Sequence, residues 1–346
     1  MKTRQQRREE LRHQGLPQPS LPWLYLIPTA VLIFAVGFGV AWYTSNRLTS
    51  SGSSSGFLRE KGDYTFVSPL LACGLNDKKT FAEYAPLKNI LNGLISQYQS
   101  EHKTQNVSVY FRNLNTGRWM GINQDELYAP ASLYKVTLLM AYLKEAEGDP
   151  AILDKQVFYP GSTEGPDGAE DVAPMTPGKT YTVRQLLEHL IIYSDNDAKD
   201  LLHNTIDQNS VNDVFSDLGL HVPGAEDTGD SMSAKDYSLF FRILYNATYL
   251  NRDMSEYALN LLSQTKFSAG IQAGIPASTA VAHKFGYRIV SPPEDGVTRE
   301  LHDCGIVYAP SGPYFVCVMT KGWDPTDLES VISGISKAVY AEVSSH

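Results

Sequence analysis

Cysteine is scarce in this chain. Its 346 residues include three, Cys73, Cys304 and Cys317, and their spacing matches no metal site, so no metal and no cofactor is implied. Cys304 and Cys317 flank the turn APSGPY and can face each other across a hairpin, but an odd count leaves at least one thiol over and the pairing stays open. Positive charge is also in deficit: 29 Lys and Arg stand against 38 Asp and Glu. Five of the basic residues (Lys2, Arg4, Arg7, Arg8, Arg12) lie in the first 22 positions, which leaves the rest more acidic still and argues against nucleic acid as a partner. There is no internal repeat. Long apolar runs are missing too, with one exception, Trp23 to Tyr43. It is free of charge, flanked by aromatic residues at both ends and preceded by the basic tail. That run is long enough for a hydrocarbon core of ~30 Å and predicts an uncleaved membrane helix, with the N-terminus cytoplasmic and the main domain outside.

The expected organisation is a basic tail over 1–22, a transmembrane helix over 23–43, a flexible linker over 44–80 that includes TSSGSSSG, and a main domain over 81–346. Within that domain Leu87, Ile90, Leu91, Leu94 and Ile95 have helical spacing. VSVYFRNL and GRWMGIN read as two strands about an NTG turn. A strongly apolar helix follows from PASLYKVTLLMAYL, then a Gly-, Pro- and acid-rich loop over Tyr159–Lys179. TVRQLLEHLIIYSDNDAKDLLHNTI predicts two helices broken at SDN, and AKDYSLFFRILYN a further one. Three strands, AVAHKFGYRIV, HDCGIVYAP and YFVCVMTKG, precede a last helix capped by Asp324 with Pro325 at its first position. The order predicts an α+β protein, an α/β/α sandwich in which one antiparallel sheet is flanked by helices and joined by an all-α subdomain.

Three short motifs stand in sequence: SLYK at 132–135, SDN at 194–196 and HKFG at 283–286. Each alone is weak. The chemistry they suggest together is specific. A serine hydroxyl needs a base within reach, and three positions along a helix bring Lys135 to Ser132. Burial and a second cation, Lys284, would lower the amine's affinity for its proton. In this order the motifs resemble the penicillin-recognising serine enzymes, and most closely the class A β-lactamases. The resemblance covers about residues 81–346. It implies Ser132 as acylated nucleophile and Lys135 as base or relay, with Ser194 passing a proton to the leaving nitrogen. It further implies that Asn196 holds the substrate amide, that Lys284 and Gly286 lie along its carboxylate side, and that the N–H groups of Ser132 and Tyr287 form an oxyanion hole. Asp195 reads as a residue that fixes the loop.

Two departures from the family pattern matter. Phe285 stands where a Thr or Ser hydroxyl is usual, and Cys304 where an arginine precedes the Gly of the next strand; His283, Arg288 and Arg299 are the residues available to compensate. The segment LGLHVPGAEDTGDSMSAKDYS runs almost straight from one helix to the next and holds no Glu-x-x-Leu-Asn, the family's water-activating loop. Glu226, Asp227 and Asp230 lie in this remnant and read as a solvated turn. Glu164, Asp167, Glu170 and Asp171 read as a surface insertion whose charge attracts a cationic group such as a stem-peptide amine. The expectation is a membrane-anchored, extracytoplasmic serine hydrolase that forms an acyl-enzyme with β-lactam or D-Ala-D-Ala-type amides and deacylates slowly. The alternatives are a D,D-peptidase or transpeptidase acting on peptidoglycan stem peptides, and a degenerate module that binds peptidoglycan or a protein without catalysis.

Overall fold

The computed structural model describes residues 58–59, 64–72, 83–162, 175–222, 231–290 and 297–345. In chain order it holds β1 (Leu58–Arg59), β2 (Leu70–Ala72), α1 (Ala85–Ser100), β3 (Asn106–Asn113), β4 (Trp119–Ile122), β5 (Leu127–Tyr128), α2 (Lys135–Gly148), β6 (Gln156–Phe158), β7 (Thr180–Thr182), α3 (Val183–Ile192), α4 (Asn196–His203), α5 (Gln208–Asp217), β8 (Met232–Ser233), α6 (Ala234–Asn246), α7 (Arg252–Leu262), β9 (Val281–Val290), β10 (Thr298–Ala309), β11 (Gly312–Gly322) and α8 (Pro325–Ser344). Five strands form one antiparallel sheet in the order β4-β3-β11-β10-β9; the other strands pair two by two in short ladders.

Alternation along the strands decides what each face of the sheet covers. Val107, Val109 and Phe111 of β3 and Val316 and Val318 of β11 meet Leu87, Leu91 and Ile95 of α1 and Leu328, Val331 and Ile335 of α8. Tyr110, Phe315, Cys317 and Met319 point the other way, into the core shared with α2, α3 and α6. The α+β sandwich with helices on both faces is therefore as the periodicity predicts. α8 starts where expected: the Asp324 carboxylate accepts the N–H groups of Thr326 and Asp327, and Pro325 opens the first turn. Two helices are additional to the sequence reading, α5 and α7. Cys304 and Cys317 lie directly opposite each other on β10 and β11 and are joined by a disulfide.

The membrane helix expected at Trp23–Tyr43 has to be corrected. Among the described residues no helix is long and apolar enough to cross a membrane, and residues 23–43 lie outside the described residues. α8, 20 residues long, carries Asp327, Glu329, Lys337 and Glu342 and buries a single stripe, the pattern of a surface helix packed on a sheet. The sandwich stands without the preceding span, and the single-pass topology, the membrane partner and the extracytoplasmic placement are dropped with it.

Part of the expected linker is tied to the domain. The Glu256 carboxylate of α7 accepts the backbone N–H groups of Thr65, Phe66 and Val67. The Tyr308 hydroxyl donates to Phe66 O, and the Phe66 and Tyr308 rings meet edge to face at 5.3 Å.

Candidate active site

The turn before α2 is built under constraint. Ala131–Tyr134 forms a short 3-10 turn that runs into α2 at Lys135, so Ser132 and Lys135 lie either side of that junction. Ala131 has φ 49°, a left-handed backbone that a residue with a Cβ adopts at a cost. β10 holds the approach to this turn. Glu300 Oε2 accepts the Ala129 N–H at 3.1 Å, and His302 Nε2 lies 3.1 Å from the Ala129 carbonyl oxygen. The Thr320 N–H points at His302 Nδ1, 3.3 Å away. With Nδ1 accepting, the ring proton sits on Nε2 and donates to Ala129, so the imidazole is neutral. Burial holds its pKa down at about 4, against the two backbone carbonyls that would raise it. Burial conversely pushes the Glu300 carboxyl up, while the Ala129 N–H pulls it down. Behind the turn, the Tyr237 hydroxyl donates to Leu133 O at 3.1 Å.

The SDN segment faces that turn. Thr182 and Gln185 form a reciprocal capping box that starts α3, and Asp195 caps α4 by accepting the Ala198 N–H at 3.1 Å. Burial raises the Asp195 carboxyl, but His189 and the N–H of Ala198 outweigh it and hold it below the usual range. Asp195 thus fixes the loop, as expected. Between the two helices Ser194 is left-handed, with φ 58°. This geometry aims its side chain at two lysines. Lys135 Nζ lies 3.2 Å and Lys284 Nζ 2.8 Å from Ser194 Oγ. Lys135 also donates to the Ser194 carbonyl and, at 2.7 Å, to Asn196 Oδ1. Lys135 is 1% exposed and Lys284 fully buried. Burial first, and the Lys135 charge second, hold the Lys284 amine well below the usual lysine range, with Asp303 opposing. Ser194 Oγ thus lies within hydrogen-bond distance of both amines, an arrangement through which a proton can pass.

β9 closes the other side. It is the edge strand next to β10. A Cβ on Gly286 would come within 2.6 Å of Pro130 O and 3.3 Å of Leu133 N, so only glycine lets the strand approach the serine turn this closely. Tyr287, at 39% exposure, stands at the rim, its hydroxyl accepting from Arg299 Nε at 3.1 Å. Phe285 keeps the place of a hydroxyl residue; its ring lies 4.2 Å from Lys284 Nζ. His283 and Asp303, 2.8 Å apart, form a buried pair, and Asp303 also accepts the Ile271 N–H. His283 is therefore engaged in the scaffold. Ser132, Lys135, Ser194, Asn196, Lys284, Gly286 and Tyr287 lie on the elements that meet at this cleft.

Four contributors are absent from the sequence reading: Glu300, His302, Tyr237 and Phe267, whose ring stacks on Phe285. Alternation in β10 carried one usable signal, a Glu and a His on the same face two residues apart. The sequence reading also passed over a literal Glu-x-x-Leu-Asn at 256–260. It lies inside α7, and its glutamate is the one that grips residues 65–67. Glu226, Asp227, Asp230, Glu164, Asp167, Glu170 and Asp171 lie outside the described residues. Among the described residues no group of three His, Cys, Asp or Glu side chains is placed to hold a metal.

The family model described as "Beta-lactamase enzyme family" matches residues 86–343. A β-lactamase of Bacteroides uniformis is 24% identical over 237 residues, 62% of this chain and 79% of its own. The β-lactamase L2 of Stenotrophomonas maltophilia is 37% identical over 97 residues, 26% of this chain and 29% of its own. Among solved structures, a point mutant of PBP-A, an acyl-enzyme complex with penicillin G, superposes with a TM-score of 0.62 at 21% identity, covering 75% of this chain and 98% of that one. A β-lactamase of Xanthomonas campestris gives 0.62 at 18% identity, covering 74% and 98%. These likenesses support the hydrolase and not its anchoring, so the expectation of a membrane-anchored enzyme is corrected to that of the hydrolase itself. The chain belongs to the beta-lactamase enzyme family and is a serine hydrolase of the class A β-lactamase and penicillin-binding type.

Proposed function

We propose that this protein is a penicillin-binding serine enzyme of the D,D-peptidase or transpeptidase kind, which takes the acyl part of a peptidoglycan stem peptide onto Ser132 and releases it slowly. The observation that carries this reading is the Ser194 hydroxyl held between Lys135 and Lys284, at 3.2 and 2.8 Å. Lys135 takes the Ser132 proton as Oγ bonds to the carbonyl carbon. The C–N bond then breaks, and Ser194 delivers the proton to the leaving nitrogen. Gly286 brings the backbone at Tyr287 beside the serine turn, where its N–H and that of Ser132 are available to the oxyanion. Asn196 borders the acyl side. PBP-A, similar in fold, is described as an acyl-enzyme with penicillin G, and a β-lactam is the expected covalent probe here.

Slow release is the expectation from where the carboxylates stand among the described residues. Glu300 holds Ala129, Asp195 caps α4, Asp197 accepts the Tyr159 hydroxyl at 2.6 Å, and Asp303 is bound by His283 and Ile271. Glu256 serves residues 65–67. Each is committed to the scaffold, which disfavours its service as a base for water. The test is intact-mass spectrometry after a penicillin pulse, together with D-alanine release from a stem peptide. A persistent adduct on Ser132 and D-alanine release support the reading. Rapid steady turnover of a chromogenic cephalosporin would favour a β-lactamase, and no adduct with any acylating agent would remove Ser132 as the nucleophile.

A further inference from the structure

Lys284 and Phe285 are neighbours on β9 with opposed chemistry. Lys284 has no exposed surface. Its amine donates to Ser194 Oγ at 2.8 Å and to the Phe285 carbonyl at 3.0 Å. The Phe285 ring lies over it, 4.2 Å from Nζ to centroid, and covers a third side. That ring is itself pinned. Phe267, in the loop after α7, stacks on it with centroids 4.3 Å apart and planes 23° apart. The same loop is tied to the site's scaffold, with the Lys266 N–H on Ile192 O and the Thr265 hydroxyl on His283 O. An amine that is buried, bonded twice and roofed by an aromatic ring is closed to an anion arriving from the cleft.

On the neighbouring strand Arg299 is engaged by the Tyr287 hydroxyl and the Trp323 carbonyl oxygen, and the residues in register with the site supply no cation. In register with Lys284, Gly286 and Arg288 stand Cys304, His302 and Glu300 of β10. Cys304 is in the disulfide, His302 is neutral, and Glu300 is a carboxyl group set opposite the exposed Arg288. A substrate carboxylate brought against the Phe285 ring would lose its water to an aromatic face. An amide or ester brings no charge to desolvate.

We propose that Phe285, braced by Phe267, selects acyl donors whose leaving residue ends in an uncharged amide or ester rather than a free carboxylate. This rests on Ser132 being the nucleophile, and it names the kind of stem peptide, one with a capped carboxyl beyond the scissile bond, that the site accepts. The experiment uses the whole chain and two matched pairs of donors: an acylated Lys-D-Ala-D-Ala peptide as free acid and as C-terminal amide, and penicillin G with its methyl ester. The Ser132 adduct is followed by intact mass, and the released residue by chromatography. The expected result is acylation at least ~10-fold faster by the capped member of each pair, about 1.4 kcal/mol of discrimination. Phe285→Thr, which removes the ring and adds a hydroxyl, is expected to shift the ratio toward the acids; Phe285→Leu, which keeps the apolar bulk, is expected to reduce it less. Faster reaction of the free acids with the wild-type protein overturns the proposal and leaves Ser132 as the nucleophile. So does a ratio unchanged in both variants. No adduct from any donor removes the parent reading and this one with it; the wild-type ratio decides even where a variant fails to fold.

Discussion

On the helical side of the cleft, Lys135, Ser194 and Asn196 converge through contacts of 2.7 to 3.2 Å, and every polar atom named there has a partner suited to moving a proton. On the strand side, the Phe285 ring lies over Lys284 Nζ, while a neutral His302 and Glu300, on the face of the sheet opposite the Phe285 packing, are partnered by backbone groups that hold the serine turn in place. The helical wall is equipped for chemistry and the strand wall for support and exclusion. Under the proposed mechanism this difference makes the reacting machinery and the recognition of the leaving group separable. One can be kept while the other is rebuilt, because they reside on elements whose side chains are fixed by different neighbours.

The sharpest way to break this contrast lies on the helical wall. Ser132→Ala is expected to abolish the penicillin adduct while the unfolding midpoint stays within the range of an exposed substitution, checked by intact mass and thermal unfolding. Lys135→Ala and Ser194→Ala are next, each expected to slow acylation by ~10² to 10⁴, the usual worth of a positioned acid or base. A loss below tenfold in either would mean the relay does not run through them. The strand wall should answer in stability instead. Replacing Cys304 and Cys317 together by alanine opens a disulfide with a sequence separation of 13 and is expected to cost roughly 2–4 kcal/mol in urea unfolding, leaving the Ser132→Ala comparison intact.

His302 gives the strand wall a pH signature. Its folded pKa, about 4, lies below the ordinary 6.5. The unfolded chain therefore binds more protons between these values, and stability present above pH 6.5 falls as pH drops toward 4. The full shift corresponds to about 3 kcal/mol. Glu300, with its raised pKa, works in the opposite direction, so the readout is the difference between wild type and His302→Gln, whose slope between pH 4 and 6.5 should be shallower. Equal slopes would separate His302 from the acid sensitivity. The smallest effect is expected from Glu300→Gln, which still accepts the Ala129 N–H: a change near ~1 kcal/mol or less, with acylation slowed only as far as the turn loosens.

The helical wall was legible in the sequence because its residues are grouped locally. SLYK heads an apolar helix, SDN interrupts two amphipathic ones, and a Lys-x-Gly sits within a strand run. The sandwich was legible for the same reason, since periods of about 2 and 3.6 residues report faces directly. The strand wall was not, because its properties depend on register. Phe285 was visible as an absent hydroxyl, but not as a ring over Lys284. Glu300 and His302 become clamps only once β10 lies beside Ala129. α5 escaped notice because Val211, Val214 and Phe215 are its only buried residues, a stripe too short to stand out. The attachment of residues 65–67 depends on Glu256, 190 positions from Phe66, and no local pattern announces it.

Ser194 and Ala131 are both left-handed residues with a Cβ, one between the two lysines and one beside Ser132. Glycine would relax each by about 1 kcal/mol. At Ala131 that substitution would leave the chemistry's side chains in place; at Ser194 it would delete the hydroxyl. The two positions therefore offer an internal gauge of competing pressures. Under the proposed mechanism, glycine at 194 would gain stability and lose the proton relay, whereas serine holds the relay at the cost of the strain.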